Sequence, residues 1–213
     1  GISIIGIGHG TARPQITPGF AGDAITITSA DAVIDNLYFN ESTVDATANI
    51  NVAAANVLIK NCWFDLGATD EECITWASGA NLKVLNNVFM VTANGPDRAI
   101  EIESTNDGLV CKGNIFNGGS TTNAWDNAAI NSTQAHTNAI IDDNEFLYGI
   151  SLVVATSVST YVGSKNKYGI GAVPNAANPI VLYADNGSTV RDGLSPATPT
   201  TLANALSKTR TGI

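Results

Sequence analysis

The sequence predicts an all-β parallel solenoid of about six rungs, followed by an irregular C-terminal extension that contains a short capping helix. Two kinds of short segment alternate along the chain, and each recurs five times at nearly constant intervals. Asn, Asp, Gly and Ser separate these segments. Within the repeats, no stretch of about ten residues has the apolar spacing of a helix, so the repeating unit consists of strands and turns.

The first recurring segment has eight residues and ends in phenylalanine. Five positions before each phenylalanine stands an apolar residue, first Ile34, which we expect in the core. Three positions before it stands a turn residue, first Asn36. Asn tolerates left-handed backbone, and its amide can hydrogen-bond to the next rung. The copies are AVIDNLYF, VLIKNCWF, LKVLNNVF, LVCKGNIF and AIIDDNEF; they end at Phe39, Phe64, Phe89, Phe116 and Phe146, which are 25, 25, 27 and 30 residues apart, and their turn residues are Asn36, Asn61, Asn86, Gly113 and Asp143.

The second recurring segment lies between the phenylalanine copies and alternates apolar with polar residues, as a strand does. One unit is too small to bury its own apolar face, so successive coils must stack, with parallel strands about 4.8 Å apart and like side chains on top of one another. The insertions at 94–97 and 118–127 fall between strands and are expected to be surface loops. The copies are AITIT, NINVA, CITWA, AIEIE and AINST, with leading apolar residues Ile25, Ile50, Ile74, Ile100 and Ile130.

These repeats, together with the opening GISIIGIGHGTARPQIT, resemble the right-handed parallel β-helix proteins of the pectate-lyase-like class, especially the repeat-containing β-helices of phages. The resemblance covers roughly residues 1–155. It implies a right-handed parallel β-helix over residues 1–160 and a virion or extracellular location. It says little about activity, because function resides in sites carried by a fold.

The C-terminal part has a different character. Residues 161–180 contain Gly171, Pro174 and Pro179 and are predicted to form an extended linker. Residues 181–213 are predicted to form a strand, a turn and a capping helix, TLANALSK, for which Thr200 or Thr201 is the N-cap. This stretch resembles the N-terminal entry of many β-helix proteins. Three explanations stay open: a second β-helix domain follows, the residue order is permuted, or the tail covers the first rung of a neighbouring copy.

Composition argues against several classes of partner. The chain has 19 acidic and 10 basic residues, a formal net charge of −9, and no Lys/Arg cluster, so nucleic acid is not an expected partner. No apolar run approaches the roughly 20 residues that span a bilayer, so no membrane association is expected. The cysteines lack zinc or redox spacing and are expected to be buried thiols. We expect neither a cofactor nor a metal site.

Acidic residues provide the catalytic candidates. Glu101 and Glu103 alternate with isoleucines, so both are expected on the outer face of one sheet. A carboxylate pair about 5–9.5 Å apart can hydrolyse a glycosidic bond, and these two are the catalytic candidates if the protein is an enzyme. The alternative, which we favour, is a solvated sheet face. The acidic stretch 142–145 is interpreted as a repeated turn, since calcium needs about six to eight oxygens, and 70–72 as a solvated turn.

Aromatic residues provide the contact candidates. Trp76 aligns with inward apolar residues and is expected in the core. Tyr38 and Trp63 share an outward column with Glu145, and Trp125 lies in the longest insertion. We expect these four residues, Tyr38, Trp63, Trp125 and Glu145, to be exposed and to contact carbohydrate or protein.

The resulting functional hypothesis is a virion structural protein, either a capsid decoration or a tail-associated β-helix, that acts as a rigid scaffold and self-associates. Its partners would be further copies of the chain, with a trimer favoured, or other virion proteins; a surface glycan is a further candidate. Two alternatives stay open. One is a tailspike-like glycan depolymerase, a glycoside hydrolase or a polysaccharide lyase-like enzyme. The other is a surface adhesin or filament subunit.

Overall fold

The computed structural model describes residues 1–18, 21–41, 47–67, 72–92, 98–120, 125, 128–132, 134, 136–150, 152–154, 160–163, 165–169 and 172–173. In these residues the chain is an all-β parallel solenoid of about five turns, which confirms the predicted fold class. The only helical segment of the described part is the short 3-10 turn Gly10–Ala12. The predicted capping segment, 181–213, lies outside the described residues.

Three parallel sheets form the walls of the solenoid, and the chain visits them in the order A, B, C in each turn. Sheet A contains Ser3–Ile5, Val33–Asp35, Leu58–Lys60, Lys83–Leu85, Val110–Lys112, Ala139–Asp142 and Thr160–Val162. Sheet B contains Gln15–Ile16, Tyr38–Glu41, Trp63–Leu66, Val88–Val91, Ile115–Asn117, Glu145–Leu147 and Lys167–Tyr168. Sheet C contains Ile25–Ile27, Ala48–Ala53, Glu72–Ser78, Arg98–Ile102, Ala128–Ser132 and Leu152–Val154. A further parallel pair joins Gly149–Ile150 to Ala172–Val173.

The register of the strands follows the sequence repeat. Each copy of the phenylalanine segment supplies one strand of sheet A and one of sheet B, and the other segment supplies sheet C. Val84 lies between Ile59 and Cys111 in sheet A, and Ile100 lies between Ile74 and Ile130 in sheet C. Aligned residues are therefore direct neighbours, as the repeat predicts, and the inward columns form one continuous core.

A stack of aromatic rings runs through this core. Phe39, Phe64, Phe89, Phe116 and Phe146 lie face to face, with centroids 4.8–4.9 Å apart and planes within 2–8°. Tyr168 continues the stack at 5.5 Å. Tyr168 and positions 161–162 of the strand Thr160–Val162 belong to the segment 161–180, expected to be an extended linker, so part of that segment continues the sheets.

The turn between sheets A and B has the predicted backbone. Asn36, Asn61, Asn86 and Asp143 have φ of 54–58°, and Gly113 has φ of 69°. Asn61 donates from Nδ2 to Asp35 Oδ1 of the preceding rung at 2.9 Å, which is the predicted inter-rung bond. The corner between sheets C and A also turns at a residue with left-handed backbone on each rung, which the sequence alignment did not predict. These residues are Asp31, Asn56, Asn81, Gly108 and Asn138.

A buried asparagine ladder follows the turn between sheets A and B. Asn87, Asn114, Asn144 and Asn166 stack on successive rungs, each 8% exposed or less. The backbone N–H of each of the first three donates to Oδ1 of the next asparagine at 2.9–3.0 Å. Their Nδ2 groups donate to backbone carbonyls of the preceding strands, such as Val84 O at 2.9 Å from Asn114. Sequence alignment placed three of these residues in one column without predicting the ladder.

The cysteines are confirmed as buried free thiols. Burial raises the pKa of Cys62 to about 11 and raises that of Cys111 as well. Among the described residues there is no helix with the length and apolarity needed to cross a membrane.

Candidate functional site

The catalytic candidate Glu101 is buried, at 6% exposure. Its Oε2 accepts a hydrogen bond from Asn131 Nδ2 at 2.7 Å and lies 3.2 Å from Arg98 Nε. Glu103 lies just beyond the end of the strand Arg98–Ile102 and is exposed. The expectation that both carboxylates lie on a solvated sheet face is therefore wrong for Glu101. The physical reason is that the outer face of sheet C is itself covered: Cys73, Ala99 and Ala129, which alternate with the core residues there, are at most 1% exposed.

Arg98 connects two rungs of sheet C. Its Nη1 lies 2.6 Å from Oε1 of Glu72, while its Nε faces Glu101. Glu72 is 5% exposed, so the interpretation of this residue as part of a solvated turn is also wrong; Asp70 and Glu71 lie outside the described residues. The Glu101 carboxylate is thus buried and already engaged by Asn131 and Arg98, whereas a general acid must reach the glycosidic oxygen of a bound substrate. The arrangement therefore supports a buried ion-pair clamp better than glycosidase chemistry.

A polar column accompanies this clamp on the outer side of sheet C. Asn51, Thr75, Glu101 and Asn131 are neighbours in the register. Asn51 Nδ2 donates to Asp23 Oδ2 at 2.7 Å. The Thr75 hydroxyl is buried, and no atom of the described part of the chain hydrogen-bonds to it. No group of three or more His, Cys, Asp or Glu side chains within the described ranges is placed to hold a metal ion.

The outer face of sheet B carries the exposed aromatic residue. Trp63 is 36% exposed, as predicted, and lies between Tyr38 and Val88 in the register. Tyr38 is half-buried, and its hydroxyl donates to Asp65 Oδ2 at 2.9 Å. Burial, and then the Asp65 carboxylate, raise the pKa of Tyr38 to about 12. The tyrosine therefore stays protonated and keeps the carboxylate in one orientation.

The other contact candidates differ in placement. Trp125 is 4% exposed and belongs to the core cluster, so the expectation that it is exposed is wrong. A tryptophan carries a large apolar area whose removal from water is favourable, even when it comes from an insertion. Glu145 is half-buried, between Ile115 and Lys167 on sheet B. Trp76 is confirmed as a core residue, with no exposed surface.

The acidic stretch that contains Glu145 is confirmed as a turn. Asp142 ends a strand of sheet A, Asp143 has the left-handed backbone of the turn column, and Glu145 begins a strand of sheet B. Its three carboxylates therefore stand on two sheets and the corner between them, and they form no common acidic site.

A serine and a histidine meet in the buried part of the structure, which the sequence did not suggest. Ser132 Oγ lies 2.8 Å from His136 Nδ1 and donates to the Gln134 carbonyl at 3.1 Å. Ser132 has no exposed surface and His136 is 1% exposed, so a substrate has no access to the pair. Burial lowers the pKa of His136. The pair is consequently a structural contact that favours a neutral imidazole, whereas His9 is exposed.

No family model matches the chain, and no curated protein or solved structure is significantly similar to it. The resemblance to phage and pectate-lyase-like proteins is thus supported for the parallel solenoid architecture alone. Function has to be inferred from the surfaces and contacts of this chain.

Proposed function

We propose that the protein is a structural component of a virus particle, either a capsid decoration or a tail-associated solenoid, that acts as a rigid scaffold and self-associates. The viral assignment rests on the resemblance of the repeats to phage β-helices. The scaffold role and the self-association are supported by contacts in the solenoid.

Rigidity is supported by two ladders that run along the solenoid. The aromatic stack joins six consecutive rungs, from Phe39 to Tyr168. The asparagine ladder joins four rungs, and both the Oδ1 and the Nδ2 atom of each asparagine in it are hydrogen-bonded. Buried polar networks whose members are all satisfied fix one arrangement of the core. A rung cannot shift sideways without breaking both ladders at once.

Self-association is supported by the first described strand of sheet A, Ser3–Ile5, and this observation carries the proposal. Ile4 pairs with Ile34 and so continues an inward column, yet it is 41% exposed. Ile2 lies on the same face of the strand and is 62% exposed. Among the described residues, the strand Ser3–Ile5 is paired on one side only. An open strand edge with exposed apolar side chains favours association with another chain.

A second copy of this chain is the occupant that fits this end. The last described rung of the solenoid carries the same inward columns, with Tyr168 in the phenylalanine column and Asn166 in the asparagine column. At the near end Ile16 occupies the phenylalanine column, next to Phe39. A copy of the same coil therefore presents matching columns. Stacking of one end of the coil on the opposite end of the next copy repeats along the solenoid axis and gives an open filament. The closed homo-oligomer that we propose, with a trimer as the expected state, instead brings the same open ends of its copies together.

Sedimentation velocity over a range of concentrations tests the proposal. The wild type is expected to form one discrete species of about three chains. Ile4→Lys places a charge at the open core end and is expected to shift the protein to monomer. Ile5→Lys is the matched control, because Ile5 is 60% exposed on the opposite face of the same strand and should leave the mass unchanged. A monomeric wild type would contradict self-association, and an open-ended series of sizes would replace the trimer with a filament.

The particle assignment has its own test. Quantitative mass spectrometry of purified virus particles from the source organism should find the chain at a fixed copy number relative to the major capsid protein. Its absence from particles would overturn the viral role and leave the scaffold role standing.

A further inference from the structure

We propose that the outer face of sheet B at Tyr38, Trp63 and Asp65 binds a neutral carbohydrate, with a sugar ring stacked on the Trp63 indole and sugar hydroxyls bonded to the Asp65 carboxylate. This inference goes beyond the scaffold role and does not depend on it.

The aromatic part of this site is Trp63. It is the exposed member of the three tryptophans of the chain, since Trp76 and Trp125 are 0% and 4% exposed. In the outward column of sheet B it has Tyr38 on one side and Val88 on the other, at the strand spacing of about 4.8 Å. An exposed aromatic side chain between such neighbours offers an apolar surface for the apolar face that a pyranose ring presents.

The polar part of this site is Asp65. It stands two residues after Trp63, on the same outer face of the strand. Tyr38 fixes it through the bond from its hydroxyl to Oδ2 at 2.9 Å. No described group hydrogen-bonds to Oδ1. A carboxylate accepts at both oxygens, so an oriented Asp65 can receive hydroxyls of a sugar that lies on the neighbouring indole.

Charge restricts the ligand to a neutral sugar. The chain has a net charge of −9, and the site itself contains a carboxylate. The nearest described cation in the column of Trp63 is Lys167, four rungs away and next to Glu145. Uronic or sialic acid units would therefore be repelled by the negative charge of the site, with no described cation of this column close by. A neutral hexose would meet one hydrogen-bond acceptor, Asp65, and one aromatic ring, Trp63.

The size of the surface favours a small ligand over a protein partner. The most exposed apolar residues of this face, Trp63 and Ile115, are only 36% and 37% exposed, and Tyr38 and Val88 are half-buried. A stable protein interface buries about 800 Å² on each partner. The exposed parts of these four side chains together fall well short of that area, whereas the surface formed by Trp63, Tyr38 and Asp65 suits the contact of a single sugar ring.

Isothermal titration calorimetry with three neutral oligosaccharides, cellohexaose, maltohexaose and chitohexaose, tests the proposal. At least one should bind the wild type saturably, with quenching or a spectral shift of Trp63 fluorescence. Trp63→Ala should weaken that binding at least about tenfold, while Trp63→Phe, which retains a ring, should stay within a few-fold of wild type. Asp65→Asn should also weaken it about tenfold or more. The matched control is Ile115→Ala, which removes an equally exposed side chain two rungs away and should bind normally.

Two outcomes would overturn the carbohydrate site. One is failure of all three sugars to bind the wild type at about 10 mM, a concentration that detects even weak complexes. The other is a Trp63→Ala variant that binds as the wild type does. A change of sedimentation mass in Trp63→Ala without any sugar binding would identify this face as a contact between copies instead. Because the self-association test uses Ile4 and reads out mass, failure of either proposal leaves the other standing.

Discussion

Asn114 accepts two hydrogen bonds from Asn87 at the same atom: its Oδ1 lies 2.9 Å from the Asn87 backbone N and 3.1 Å from Asn87 Nδ2. Asn114 in turn donates from its own Nδ2 to the Val84 carbonyl and to Asn144 Oδ1, both at 2.9 Å. One buried side chain therefore satisfies polar groups on the rung before its own and on the rung after it.

Asn114→Ala should destabilise the fold by about 2–4 kcal/mol, because it leaves several buried donors and acceptors without partners. Urea denaturation followed by circular dichroism measures this loss. Asn86→Gly is the control, since Asn86 is exposed with φ of 56°, a conformation that glycine adopts freely; it should change the free energy of unfolding by less than about 0.5 kcal/mol. Equal losses in the two variants would show that the ladder does not stabilise the fold.

Gly113 offers a test of the turn column. It stands where the other rungs have Asn or Asp, and its φ is 69°. A Cβ atom at this position would meet the Asn86 Oδ1 atom, which lies at the movable end of a side chain. Gly113→Asn should therefore be tolerated, with a melting temperature close to that of the wild type. Gly113→Val should destabilise the protein by about 1–3 kcal/mol, because a β-branched residue is strained at positive φ. A tolerated valine would show that this corner relaxes easily.

The ion-pair clamp gives a prediction about stability. Glu101→Ala removes the partner of Asn131 Nδ2 and one of the two carboxylates at Arg98. Breaking a largely buried pair by removing one partner costs about 3–5 kcal/mol, and the 21% exposure of the Arg98 side chain lowers the expectation to about 2–3 kcal/mol. Glu103→Ala, at an exposed position, is the control and should be nearly neutral. Thermal unfolding measures the melting temperatures of both variants. Equal melting temperatures would show that the ion-pair clamp does not stabilise the fold.

The sequence predicted most of the fold because a solenoid repeats its contacts. Ile59, Val84 and Cys111 are neighbours in sheet A because the same face is buried in every coil, so alignment of the repeats also gives the register. Tyr168 was not predicted to continue the phenylalanine column, because it follows Phe146 by only 22 residues and is a tyrosine. The alignment placed Asn114 and Asn144 in one column but did not predict the ladder. An alignment alone does not show that a column next to a turn is buried.

Placement of the site residues was harder to predict for a physical reason. Alternation along a strand assigns a residue to a face of the sheet, but it does not show whether that face is covered. Trp63 is exposed and Glu101 is buried, although both point outward by alternation. The segments that connect sheet B to sheet C differ in length from rung to rung, and they do not follow the repeat. Burial of Glu101 and Trp125 therefore depends on contacts outside the periodic pattern.

The buried thiols give a simple prediction about reactivity. The described structure leaves Cys62, Cys73 and Cys111 without exposed surface, and burial raises the pKa of Cys62 to about 11. Because the thiolate is the reactive form, a thiol reagent such as Ellman's reagent at pH 8 should label none of the three in the native protein. In urea it should label all three. Rapid labelling of the native protein would show that the core opens locally.

His136 should make stability depend on pH. Burial lowers the pKa of His136 in the folded protein, whereas the unfolded chain takes up a proton near the ordinary value of about 6.5. Below that pH the unfolded state binds more protons than the folded state, so the free energy of unfolding decreases as the pH falls from about 7 towards 5. Urea denaturation of His136→Gln over this range should show a flatter dependence, while His9→Gln, at an exposed position, should retain that of the wild type. Because these are the two histidines of the chain, an equal dependence in both variants would assign the effect to carboxylates instead.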